Sequence, residues 1–160
     1  MREVISNTSP LQYLHQLNLL DLLPSLYRQI IVPQSVVEEL AVGRQRGVNL
    51  PTPELLPWVN VRSSRERNLL PLVTALGPGE REALALGVEI PESLLILDDA
   101  LARKHAELLH LTITGTLGIL LKAKATGHIP EVLPVLNKLD ALNFRVHPST
   151  RESVLKLAGE

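Results

Sequence analysis

Apolar positions along the chain fall into two rhythms. Short β-like runs at Glu3–Ile5, Gln29–Val32, Leu94–Leu97, Leu111–Thr114 and Phe144–Val146 alternate with longer stretches of helical period. Helices are predicted over Pro10–Leu20, Gln34–Val42, Gly79–Val88, Ala100–Leu109, Thr116–Thr126, Pro130–Leu142 and Thr150–Leu157. Ser9 before Pro10 and Ser149-Thr150 before Glu152 are helix-start signals, and Gly127 marks a helix end. Trp58–Arg62 alternates with period two and reads as an edge strand or an extended loop, and the glycines and prolines of Gly43–Pro57 read as a loop. Strand and helix in alternation imply βαβ units. The expected fold is a single α/β domain over residues 1–160, with a mainly parallel sheet flanked by helices.

Composition narrows the chemistry. The 160 residues are 45% hydrophobic and 21% charged, which suits a globular core. With no cysteine, disulfides, thiolate nucleophiles and cysteine-ligated zinc are excluded. There is no signal-like apolar segment and no run of roughly 18 apolar residues, so a soluble cytoplasmic protein without a membrane partner is expected. Tyr13, Tyr27, Trp58 and Phe144 are too few to build a broad base-stacking surface. His15, His105, His110, His128 and His147 lack zinc-ligand spacing and read as structural or surface residues. Serine-nucleophile, phosphate-loop and dinucleotide fingerprints are absent from the sequence.

Carboxylates are the remaining candidates, and they gather where strands lead into helices. "VISNTSPL" places Asn7 after an apolar strand, and "VPQSVVEEL" carries Glu38 and Glu39 on either side of an apolar stripe, between which periodicity does not choose. "LGPGEREALALG" opens a helix with Glu80 and Glu82, and "LLILDDALARKHAELL" ends a buried run at Asp98 and Asp99. Helix capping and dipole effects account for each cluster taken alone. Together they supply oxygen donors of the kind Mg²⁺ or Mn²⁺ prefers, at the edge where parallel α/β folds collect ligands.

The order of these motifs, closed by "LTITGTLGILLKAK", resembles the PIN domain family over about residues 3–126, especially a bacterial and archaeal branch of predicted nucleic-acid-binding proteins. Residues 127–160 read as a helical and strand extension. The resemblance implies a metal-dependent ribonuclease that hydrolyses RNA phosphodiester bonds, including the toxins of toxin–antitoxin pairs. It further implies that Glu39, Glu80 and Asp98 are catalytic acids, supported by Asn7, Asp99 and the hydroxyl of Thr116. Mg²⁺ or Mn²⁺ would be held among Asn7, Glu39, Glu80, Asp98 and Asp99. Arg103 and Gly115 also fit the local pattern.

One position departs from the family: Asn7 stands where the resemblance places the first metal-binding aspartate, and its neutral carbonyl attracts a cation less. Asp99 is the candidate to restore that charge. Arg44, Arg46, Arg62, Arg65 and Arg67 outnumber Glu54 and Glu66 between Gly43 and Leu70 and are candidate phosphate contacts for RNA. The expected partners are RNA, a small antitoxin protein and a second copy of the chain. Two alternatives stand beside the nuclease: a catalytically impaired PIN-like module that binds RNA or protein, and a structural protein whose acids only cap helices.

Overall fold

Residues 2–65 and 75–160 are described by the structure, a computed structural model. Five strands, β1 (Val4–Ser6), β2 (Ile30–Pro33), β3 (Val59–Arg62), β4 (Leu94–Ile96) and β5 (Thr112–Thr114), form an all-parallel sheet in the order β3-β2-β1-β4-β5. Ile5 pairs with Ile31, Ser6 with Ile96, Pro33 with Arg62 and Ile96 with Thr114. The chain runs outward from β1 to β3, then crosses back to lay β4 on the other side of β1. A crevice opens at such a switch point, between the carboxyl ends of β1 and β4.

Helices α1 (Thr8–Gln16), α2 (Leu22–Tyr27), α3 (Gln34–Gln45), α4 (Pro78–Glu89), α5 (Ala100–Leu108), α6 (Thr116–Ala125), α7 (Leu133–Ala141) and α8 (Pro148–Leu157) flank the sheet. Alternate strand residues divide the core. Val4, Ile30, Val32 and Ile96 pack with Leu11 and Leu14 of α1, Leu40 of α3, Ile119 of α6 and Leu136 of α7. Ile5, Ile31, Leu95 and Leu97 face the other way, onto Leu84 and Leu86 of α4 and Ala102 and Ala106 of α5. Burial on both faces is why these strands read as continuous apolar runs. Each large side chain buried contributes about 1.5–3 kcal/mol of transfer free energy.

Trp58–Arg62 resolves as edge strand β3. Phe144–Val146 is not a strand: Asn143 takes a positive φ of 64°, the Phe144 amide donates to the Leu139 carbonyl, and the Phe144 ring packs edge-on against Tyr13 at 4.8 Å. The segment therefore closes α7 and packs on α1, so the extension is helical only. The helix expected over Pro10–Leu20 ends early, at Gln16, where Asn18 takes a φ of 58°, and α2 beyond it was not expected. α3 runs on to Gln45, into the segment read as a loop, which also holds a 3₁₀ turn at Pro53–Leu55. α1 starts earlier than expected, with Asn7 rather than Ser9 as its cap.

α7 has no side-chain cap of its own at Val132. Glu160 supplies one from a distance, accepting from the amides of Val132 at 2.8 Å and Leu133 at 3.0 Å while Lys124 donates at 2.9 Å. The Lys124 ammonium and then the Val132 amide hold the carboxyl at about 2. A depressed carboxyl contributes stability above its unfolded value near 4.3 and loses it as pH falls through about 2. Glu160→Gln is therefore expected to lower the urea midpoint at pH 7, with the difference from wild type closing as the pH approaches 2. Urea melts at a series of pH values check this.

A candidate metal and RNA site at the carboxyl edge

In a parallel sheet every strand hands over to a helix at the same edge, so helix starts, with their unpaired amides and positive dipole ends, collect there. The acidic clusters are seated on these starts. Glu39 of α3 accepts from the Gly79 amide of α4 at 2.8 Å through Oε1 and from the Thr8 hydroxyl at 2.6 Å through Oε2. Glu80 accepts from the Gly77 amide at 3.0 Å, closing the first turn of its own helix. Asp99 accepts from the Ala102 amide at 2.9 Å and is the N-cap of α5. Asp98 turns both oxygens to Thr116, which donates its amide at 2.8 Å and its hydroxyl at 2.7 Å. The aspartate doublet is thus two caps: Asp99 on its own helix, Asp98 on α6.

Asn7 is 2% exposed. Its amide donates to the Ile96 carbonyl across the switch point, and its side-chain oxygen accepts from Thr8. Two glycines let the carboxylates approach. A Cβ on Gly79 would stand 2.8 Å from Glu39 Oε2, and one on Gly115 would stand 2.9 Å from Asp98 Oδ1 and 2.8 Å from Arg103 Nη1. Arg103 also donates to the Leu97 carbonyl at 2.8 Å, which keeps its charge beside Asp98.

Electrostatics separates the acids into two groups. Burial pushes the Glu80 carboxyl up; the Gly77 amide opposes this, the negative charges of Asp99 and Glu39 add to it, and the Asn7 side chain eases it. Glu80, Glu39, Asp99 and Asn7 therefore share one electrostatic neighbourhood. Asp98 is also pushed up by burial, with both Thr116 donors and then Arg103 opposing; its neighbours are donors, not acids. Glu38, which periodicity left level with Glu39, lies exposed on α3.

The donor set of carboxylates and one amide suits a hard divalent cation. Among the described residues no three acidic or histidine side chains stand in a coordinating cluster. Glu39 and Asp98 have both oxygens on protein donors, so a cation would draw first on Glu80 and Asp99, each of which engages one oxygen on a helix amide.

The candidate phosphate contacts are divided. Arg44 donates to the Pro51 carbonyl and pairs with Glu54, and Arg46 sits at the far end of α3, roughly 18 Å along the helix from its start. Arg62 and Arg65 are exposed at the carboxyl edge, Arg62 at the end of β3 and Arg65 just beyond it. Arg67 lies outside the described residues. Thr8, Gly79 and Glu82 were not singled out by the sequence reading as site residues; the clue available was only their place beside Asn7 and Glu80. His15, His128 and His147 make hydrogen bonds to Asn49, Thr126 and Ser149. No helix among the described residues is long and apolar enough to cross a membrane.

An α/β fold with acids at its switch point is one on which nuclease-type domains are built, and the family model described as the PIN domain, a fold of that type, matches residues 3–160. The chain belongs to the PIN domain family, and the match takes in α7 and α8 as well as the motif region. Searches among curated proteins and among solved structures found no match.

Because the folded-state value of Glu80 is raised, the folded protein binds more protons than the unfolded chain between the two values, and stability falls as pH rises through that window. At neutral pH the charge is a net cost. Glu80→Gln keeps an acceptor for Gly77 and removes the charge, so the metal-free variant is expected to melt at a higher temperature than wild type at pH 7 and at the same temperature below about pH 4. Calorimetric melts in EDTA test this; a lower midpoint at pH 7 would contradict the like-charge neighbourhood.

Proposed function

We propose that this PIN domain is a Mg²⁺- or Mn²⁺-dependent endoribonuclease. The observation that carries the reading is the shared neighbourhood of Glu80, Glu39, Asp99 and Asn7 at the switch point of the sheet. Glu80 and Asp99 would hold the cation through the oxygens that the helix amides leave over, while Asn7, its carbonyl on the Thr8 amide, would lie beside Glu80 as a neutral neighbour that a cation reaches only by displacing that bond. Glu39 fixes the start of α4 beneath Glu80, and Asp98 fixes α6 through Thr116. A bound divalent ion would lower the pKa of an attacking water and offset charge developing on the scissile phosphate. Arg62 and Arg65 offset the repulsion between RNA and the acids. Such a nuclease would act as the toxin of a toxin–antitoxin pair, held by a small antitoxin protein or paired with a second copy; membership of the PIN domain family supports this reading without reaching the partner.

A second reading, an impaired module that binds RNA or a protein, is favoured by one observation: Asn7 replaces a charge while Glu39 and Asp98 have their oxygens engaged. Mn²⁺ titration with parallel cleavage of single-stranded RNA separates the two. The nuclease is expected to gain about 2.7 kcal/mol of stability at a metal concentration 100-fold above Kd and to cleave RNA. Asn7→Asp is expected to tighten Mn²⁺ binding and raise cleavage at low metal, and Asp99→Asn to weaken wild type more than the Asn7→Asp variant. Saturable metal binding without turnover selects the impaired module, and no saturable binding removes the nuclease.

A further inference from the structure

Glu82 belongs to none of the acid groups above, yet it is 6% exposed, which is unusual for a carboxylate. Its Oε1 accepts from the Ser35 amide at 2.8 Å in the first turn of α3, whose N-cap, Pro33, has no side-chain cap to offer. Its Oε2 accepts from the Ser64 amide at 3.2 Å, two residues beyond the end of β3. Seven residues, about two turns, further along α4, Glu89 accepts from the Ser64 hydroxyl at 2.7 Å and the Arg65 amide at 2.9 Å. Ser64 is buried while Arg62 and Arg65, on either side of it, are exposed. Two carboxylates on one side of α4 thus grip the backbone of the segment and leave its guanidinium groups outward.

The placement of that segment gives the grip a consequence. Arg62 pairs in register with Pro33, and Pro33 stands level with Asn7 because Ile5 pairs with Ile31. Two strand spacings, roughly 10 Å, therefore separate Arg62 from Asn7 across the sheet. The exchange between helices is reciprocal: Glu39 of α3 seats on the start of α4, and Glu82 of α4 seats on the start of α3. The helix that presents Glu80 is the same one that holds Ser64 and the Arg65 amide, just beyond Arg62 at the end of β3.

We propose that Glu82, with Glu89, is a positioning residue that sets the path of single-stranded RNA by fixing Arg62 and Arg65 at a set distance from the acidic crevice. Its role rests on the ribonuclease reading. Removing the grip frees the segment that follows β3, Arg65 directly and the outer end of Arg62's strand with it, so RNA binding weakens through lost orientation while the metal neighbourhood is retained.

The test is a double-mutant cycle between Glu82→Gln and the pair Arg62→Ala/Arg65→Ala, with Glu89→Ala as a second route to the same segment that leaves the bond to α3 in place. Binding of a fluorescein-labelled single-stranded RNA is followed by anisotropy in Ca²⁺ buffer over a salt series, with Mn²⁺ affinity measured separately. Glu82→Gln and Glu89→Ala are each expected to weaken RNA binding about fivefold, to flatten the salt slope by up to about 0.7 per lost phosphate contact, and to leave Mn²⁺ affinity within about twofold. In the arginine-free background either change is expected to have almost no further effect. Additive losses, or an unchanged salt slope in the folded variants, would overturn the positioning role while leaving the ribonuclease reading intact. Absence of RNA binding by wild type would overturn both. If Glu82→Gln does not fold, the Glu89→Ala cycle decides by the same criteria.

Discussion

Carboxylates seated on helix-start amides are the interaction on which this edge of the fold depends. α3 receives Glu82, α4 receives Glu39, α5 receives Asp99 and α6 receives Asp98. Only Asp99 comes from the residue next to its helix. The other three reach across the structure, so each cap is also a tertiary tie. Hydrogen bonds to a charged group contribute about 1.5–3 kcal/mol each, comparable to burying one large apolar side chain. Parallel topology explains the concentration: helix starts following the strands lie at one edge, and their dipoles make that edge favourable to anions.

The same arrangement bears on function. Oxygens that hold amides are withdrawn from a cation, and Glu39 and Asp98 have both of theirs engaged. Glu80 and Asp99 are less committed, and Glu80 bears the cost of its acidic neighbours. At position 7, almost wholly buried, a carboxylate would add another desolvated negative charge to this group; the asparagine avoids it and eases the charge on Glu80. Stability without metal and attraction for metal thus pull in opposite directions at this residue, as is common where function sets the local charge.

Much of this was legible in the chain. Continuous apolar runs identified β1, β2 and β4, alternation left β3 open as an edge strand, and periodicity found most helices to within a few residues. Phe144–Val146 has strand-like composition, but a positive-φ turn at Asn143 and the edge-on packing of Phe144 against Tyr13 are tertiary choices that composition does not encode. The break between α1 and α2 likewise turns on Asn18, whose left-handed conformation is uncommon but tolerated by asparagine.

For the acids, sequence alone determined that oxygen donors stand at strand-to-helix junctions, because hydrophobic periodicity fixes where strands stop, and that Asn7 brings no charge. It did not determine which oxygen faces which partner. Glu38 and Glu39 are equivalent by helical angle, and only the approach of α4, permitted by Gly79, turned Glu39 inward and left Glu38 in solvent. Asp98 and Asp99 are adjacent, yet one caps its own helix and the other a helix that begins 18 residues later. Glu82 looked like a first-turn acid and is instead buried between two amides from distant segments. A side chain's partner depends on which elements pack beside it, and a parallel sheet brings together helix starts that are remote in sequence.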